Sequence, residues 1–182
     1  MATRSEAVQQ IPSATQHIRL PRDSTSGALI TIDDALRRIM EGAAFHVTDS
    51  NVIANTNSRT LLVTTPNTTA RIYFSFHVGT NVLVQYYLYE NPTISNVGTD
   101  VTVYNRDRNS TTAAAMTVKH TPTVSNVGTA ISQGSYVTNN INVERVDNRL
   151  WILKANEEYL VRVTNNSGGN AQVTIVLDWD EV

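Results

Sequence analysis

Downstream of Phe45, apolar and polar side chains alternate with a period of two, the spacing that sends every second side chain to the same face of a β-strand. Ala70 to Val78 shows it most cleanly: Ile72, Phe74, Phe76 and Val78 fall on one side, Arg71, Tyr73, Ser75 and His77 on the other. Gly79, Thr80 and Asn81 then read as a turn, with a second strand over Val82 to Tyr89. Near the C-terminus, Val173, Ile175, Leu177 and Trp179 share a face opposite Gln172, Thr174 and Asp178, with Val176 out of pattern. The run from Asn165 to Asn170, with two central glycines, marks a hairpin between that strand and Glu158 to Thr164. Further strands are expected at Thr60 to Thr65, Val101 to Tyr104, Ala113 to His120, Thr129 to Tyr136 and Leu150 to Leu153. Trp151 and Trp179 sit inside strand patterns and are expected in the core. About eight short strands, with turns every ~8–12 residues, predict an all-β fold, a β-sandwich or jelly roll.

Thr31 to Gly42 carries the helical pattern. Thr31 is placed to cap, Asp33 and Asp34 favour the first turn, and Gly42 supplies a left-handed stop. Ile32, Leu36, Ile39 and Met40 share one face, leaving Arg37, Arg38 and Glu41 pointing outward. Ahead of it, Met1 to Ala28 is rich in Gln, Ser and Thr and holds no period. This predicts an arm over residues 1–28, either a disordered tail or an extended arm that orders only on a partner, and a single β-sandwich over residues 29–182, with its short helix at about 32–41. Ile11, Ile18 and Leu20 are the arm's apolar anchors, spaced to lie along a partner's groove.

Composition sharpens this. Charged residues make up only 16%, against about 25% in an ordinary soluble domain, and Thr, Asn, Ser and Val take their place. β-branched residues suit a pleated surface and Asn suits turns. A net charge of −2 gives the whole chain no electrostatic footprint for nucleic acid. The absence of cysteine excludes disulfides, thiolate metal sites and cysteine nucleophiles. No apolar run approaches the roughly 20 residues of a membrane span, and Met1 to Leu20 lacks an apolar core of signal-peptide length, so a soluble chain without a visible export signal is expected.

The chemistry-bearing residues are sparse. His17, His46, His77 and His120 lack partners at metal-binding spacing, and His77 is expected on a solvated face. Asp33 and Asp34 are explained by the helix start. Asp178, Asp180 and Glu181 read as a frayed acidic tail, with calcium binding the alternative. Arg106-Asp107-Arg108-Asn109 is the densest charge run: a solvated loop pairing its own charges, or a contact through Arg106 and Arg108 with a partner protein. Asn67, Asn109 and Asn165 open glycosylation-type tripeptides and receive no role. No nucleotide-binding or hydrolase motif is present. The reading is a non-enzymatic protein with no catalytic, cofactor or metal site and no small-molecule substrate, nucleic-acid or membrane partner.

One segment recurs. Pro92-Thr93-Ile94-Ser95-Asn96-Val97-Gly98-Thr99 returns as Pro122-Thr123-Val124-Ser125-Asn126-Val127-Gly128-Thr129, with only Ile94 against Val124 changed. A single recurrence is not a solenoid. Two equivalent corners are expected, with Gly98 and Gly128 at φ > 0; paired loops making matched contacts are the alternative.

Several segments together resemble one family, the decoration, cement or minor head proteins of tailed-bacteriophage virions. They are Gly42-Ala43-Ala44-Phe45; Tyr87 to Thr93; Tyr104 to Ser110; Thr111 to His120 with the second repeat; Trp151 to Asn156; Tyr159 to Asn165; and Trp179. The resemblance spans roughly Thr31 to Val182. Family members often carry further glycine where this chain has Gln133 to Asn148. It implies a virion structural protein assembled in the host cytoplasm, a homotrimer that binds the major capsid protein on the outside of the head and bridges neighbouring subunits. A tail, neck or adaptor component is the alternative, and a carbohydrate-binding β-sandwich using Tyr73, Tyr87 and Tyr89 as an aromatic row is a third reading.

Overall fold

A computed structural model describes residues 34–136, 143–144 and 150–182. The chain divides between Arg37 and Arg38. Of the first unit only Asp34 to Arg37 are described, so Ile11, Ile18, Leu20 and the expected arm lie outside the described residues, as do Thr31 and Ile32.

In chain order the strands are β1 (Ala44–Ile53), β2 (Ser58–Thr64), β3 (Ile72–Thr80), β4 (Val84–Glu90), β5 (Thr93–Asn96), β6 (Thr99–Asp100), β7 (Tyr104–Asn105), β8 (Thr117–His120), β9 (Thr123–Asn126), β10 (Thr129–Tyr136), β11 (Val143–Glu144), β12 (Trp151–Leu153), β13 (Glu158–Asn165) and β14 (Ala171–Glu181). The fold is an all-β sandwich. One sheet runs β11-β3-β14-β1-β7, with β12 also on β3; the other runs β10-β4-β13-β2-β8-β6. All pairings are antiparallel.

Eight strands form the frame. β12, β3, β14 and β1 lie in one sheet and β10, β4, β13 and β2 in the other, and each step between sequential frame strands changes sheet except β4 to β10. The β4-to-β10 link is a long excursion over residues 91–128. It carries the ribbon β5–β9, adds β8 and β6 to the edge of β2, and adds β7 to the edge of β1.

Alternation explains the core. Ile72, Phe74, Phe76 and Val78 of β3 meet Val173, Ile175, Leu177 and Trp179 of β14 and Leu61, Val63, Tyr159, Val161 and Val163 from the other sheet in one buried cluster. Trp179 stacks on Phe45, with ring centres 5.7 Å apart. Trp151 is half-buried and packs against the cluster from its rim. Leu62 and Leu160 point to the opposite side of their sheet, yet both are buried. Val176 sits on the polar outer face, in register between Thr48 and His77.

β1 departs from the sequence expectation, which marked no strand there. Its inward positions are Phe45, Val47, Asp49, Asn51 and Ile53, so polar residues interrupt the apolar stripe. Asp49 is answered across the sandwich by Arg59 of β2, in two hydrogen bonds of 2.5 and 2.6 Å that tie the sheets together. The Arg59 pKa is raised, chiefly by that hydrogen bond. The expected strand at Val101 to Tyr104 is not formed, only its last residue entering β7, and that at Ala113 to His120 is cut down to β8.

The helix α1 (Asp34–Met40) ends as expected: Gly42 has φ of 69°, with its amide donating to Ile39 O and that of Ala43 to Arg38 O. Its facing is corrected. Leu36 and Met40 are exposed, and Arg38 turns in. The outer face of β14 and β3 offers Asp180 and Tyr73. A cation meets them better than an alkyl stripe, and Arg38 lies 3.0 Å from the Asp180 carboxylate and 4.4 Å from the Tyr73 ring centre.

Candidate interaction surfaces

The repeated segment builds the most distinctive surface. Among the described residues β5 and β9 pair only with each other, Thr93 opposite Asn126 and Asn96 opposite Thr123, with Ile94 beside Val124. Moving each residue to its counterpart in the other copy exchanges these pairs, so the ribbon has an approximate two-fold axis between Ile94 and Val124. The symmetry extends outward: Thr99 pairs with His120 as Thr129 pairs with Glu90. Each copy's turn then locks the other copy's corner. Gly98 (φ 87°) has no room for a Cβ, which would stand 2.2 Å from His120 O, and Gly128 (φ 81°) would stand 2.2 Å from Glu90 O. Asn96 and Asn126 side chains accept the Gly98 and Gly128 amides at 2.9 and 3.0 Å. The equivalent corners are therefore present, and in addition they form a ribbon, which the sequence reading did not contain. Residues 91–99 and 121–129 hold no charged side chain, and Val97 is exposed.

Beneath one corner, Tyr159 donates its hydroxyl to Glu90, which also pairs with Lys154 at 3.0 Å, and the Lys154 amide donates to the Tyr159 oxygen. Burial first, and then the Glu90 carboxylate, push the Tyr159 pKa up to about 12, against the Lys154 amide, which lowers it.

The excursion's other end carries Arg106 and Arg108. Both are exposed, as expected. Asp107 and its neighbours do not simply pair with them: Asp107 Oδ1 accepts the Asn109 amide, Asn105 Oδ1 accepts the Asp107 amide, and Asn105 Nδ2 donates to Gly42 O and Thr112 O. Arg108 lies 5.2 Å from the Tyr104 ring centre. Behind this loop, between Phe45 of one sheet and Val118 of the other, is a partly open cavity of about 290 Å³, walled by Val101, Val103, Ala114 and Met116.

The outer face of β1, β14 and β3 corrects the frayed acidic tail. All three carboxylates are in use within β14. Asp178 lies between His46 (2.9 Å) and His77 (3.5 Å), Asp180 meets Arg38, and Glu181 accepts the Trp179 indole N–H and the amides of Ala115 and Met116 at 2.9–3.0 Å. His77, expected on a solvated face, is mostly covered beside Asp178. His46 also reaches Thr48 at 2.7 Å. Hydroxyl, imidazole and carboxylate follow the order of a hydrolytic triad. Here, however, His46 and Thr48 are strand neighbours on the outside of a sheet, and neither they nor Asp178 line the cavity. The arrangement joins three strands. Among the described residues no group of three or more His, Asp or Glu is placed to hold a metal ion.

The aromatic row splits between the sheets. Tyr73 is on β3, under Arg38. Tyr87 and Tyr89 lie on β4 and stack on each other at 5.3 Å and 15°, with Arg162 5.9 Å from the Tyr89 ring centre. Burial raises the Tyr89 pKa. A sugar platform needs free ring faces in one plane, which this geometry does not supply. Asn165, the first residue of one glycosylation-type tripeptide, is buried and spends its amide on Ile53 O, Gly169 O and the Ser167 amide.

Compared with family models, curated proteins and solved structures, the chain matches none.

Proposed function

We propose that this chain is a non-enzymatic structural protein of a tailed-bacteriophage virion, a decoration or cement protein that binds the outer surface of the head. It acts by bridging neighbouring capsid subunits, as a homo-oligomer, a trimer in the form the resemblance implies.

The observation that carries the reading is the excursion between β4 and β10. It places a rigid, uncharged ribbon and an arginine loop outside a sandwich whose eight frame strands need neither. Depletion of charge and enrichment of Arg and Tyr mark the centres of protein interfaces. Positions that carry the resemblance, among them Gly42, Asn105, Tyr159 and Trp179, hold this excursion and its supports in place. A cement protein stabilises by adding interface, and stable contacts bury about 800 Å² per partner.

The test is stoichiometry on purified particles. Copies in fixed ratio to the major capsid protein are expected. A number matching a single ring at the neck or tail would overturn the head assignment, and absence from particles would overturn the virion reading altogether.

A further inference from the structure

The two copies in the β5–β9 ribbon are more alike than the fold requires. Asn96 and Asn126 hold the Gly98 and Gly128 amides, and neither glycine has room for a Cβ, so the turns set these four residues. The rest of the ribbon is not set in this way. Thr93, Ser95 and Thr99 are exposed, and so are their counterparts Thr123, Ser125 and Thr129. Ser95 donates to Thr123 O, a bond that Ser125 does not repeat among the described residues, and Val97 and Val127 lie outside the core cluster. Many β-branched or aromatic residues would serve such strands. Yet each of these positions holds the same residue in both copies.

A copied segment does not by itself explain this, because the identity stops where the two-fold continues. Glu90 is equivalent to His120, Asn91 to Thr121 and Asp100 to Ala130, and every one of these pairs differs. Inside the segment the one difference, Ile94 against Val124, falls on the axis, where the two half-buried residues meet each other. What the sequence keeps equal is the pair of outward surfaces.

A surface repeated about a two-fold axis is matched by a contact repeated about the same axis. Neither copy holds a charge or an aromatic ring. A phosphate backbone therefore finds no cation on the ribbon, and a sugar finds no ring to stack on. Small ligands favour enclosed pockets over exposed strands. A charged protein surface would lose water here without gaining a partner. We infer that the ribbon binds two identical, uncharged protein surfaces at once, one on each half, where two copies of a partner subunit meet across a local two-fold axis. The partner's identity as the major capsid protein rests on the reading proposed above; the need for two equal surfaces does not.

Two measurements test it. The chain has no cysteine, so Thr93→Cys and Thr123→Cys each give the full chain a single point for a thiol-directed photo-cross-linker. On particles lacking the protein, both positions are expected to cross-link to the same peptide of one partner. Different peptides, cross-links to a second copy of this chain, or no cross-link from either position overturn the inference. The second measurement compares attachment by Thr93→Glu, Thr123→Glu and the double change. Each single change is expected to weaken attachment about tenfold or more with an unchanged melting transition, and the two losses should agree within about threefold. Loss from one position alone overturns the two-fold contact. Loss from neither removes the ribbon from the interface and leaves the virion reading standing, since the unaltered chain still attaches. Should a glutamate variant not fold, the cross-linked peptides decide. Failure of the unaltered chain to attach overturns the virion reading, and with it the assigned partner.

Discussion

Thr121 and Asn91 occupy the same place in the two corners, before Pro122 and Pro92, and both have positive φ (54° and 56°). Asn tolerates this region, whereas a β-branched residue is strained by roughly 1–2 kcal/mol. Thr121→Asn is therefore expected to raise stability by about 0.5–1 kcal/mol in urea unfolding; a loss would show that the Thr121 hydroxyl, bonded to His120 O, outweighs the strain. Gly98 and Gly128 have no such latitude, because φ and space both forbid a Cβ. Either Gly→Val change is expected to cost at least about 2 kcal/mol, and the two costs should agree closely because the corners are two-fold related. Asp49→Asn leaves the Arg59 cation half-sealed without its counter-charge, at a loss of about 3–5 kcal/mol, while the double change Asp49→Leu with Arg59→Met recovers most of it. Tyr159 gives a pH signature. Its pKa is raised from 10 to about 12, so the folded state favours the protonated phenol. That contribution is complete below pH 10 and lost as pH rises toward 12. The unaltered protein should lose stability more steeply across this window than Tyr159→Phe; parallel curves would refute the shift.

At the scale of elements, period-two alternation was enough to locate β3, β4, β10, β13 and β14, because each buries one face against the opposite sheet. It failed at β1, where Asp49 and Asn51 take inward positions. The partner that makes Asp49 acceptable stands ten residues on, in the other sheet. It failed again at β5 and β9, four-residue strands with three of four positions exposed in each, whose pairing depends on two corners meeting in space. Asp178, Asp180 and Glu181 resembled a frayed end because the groups that hold them come from positions 46, 77, 38 and 115–116. Arg106 and Arg108 were legible as exposed residues; the cavity behind them was not, since a void leaves no mark on a sequence. The two tryptophans separate at this scale as well. Trp179 is buried near the end of β14 and stacked on Phe45, so Trp179→Ala should cost about 3–5 kcal/mol, whereas Trp151, half-buried on the three-residue β12, should cost clearly less. Equal losses in thermal unfolding would place Trp151 deeper than its burial indicates.

For the whole molecule, the question is where stability and attachment reside. The hydrophobic cluster begins at Phe45, and its strands close on one another within residues 38–182. The sequence of residues 1–28, outside the described residues, has few apolar side chains, and Ile11, Ile18 and Leu20 are the ones expected to meet a partner's groove. Ordering such a chain on a partner costs about 1–2 kcal/mol per backbone residue, so only a long run of contacts sustains it, and a repetitive protein shell provides one. Deleting residues 1–28 is therefore expected to leave the melting temperature within a few degrees of the full chain. Attachment to particles lacking the protein should fall sharply. The result also apportions the work between two surfaces. If the truncated chain attaches undiminished, the arm contributes nothing and the ribbon and arginine loop carry the contact alone. If attachment falls and the double change Arg106→Ala with Arg108→Ala lowers it further, both surfaces engage the partner, and their effects should add in free energy provided the sites are well separated and share no contact.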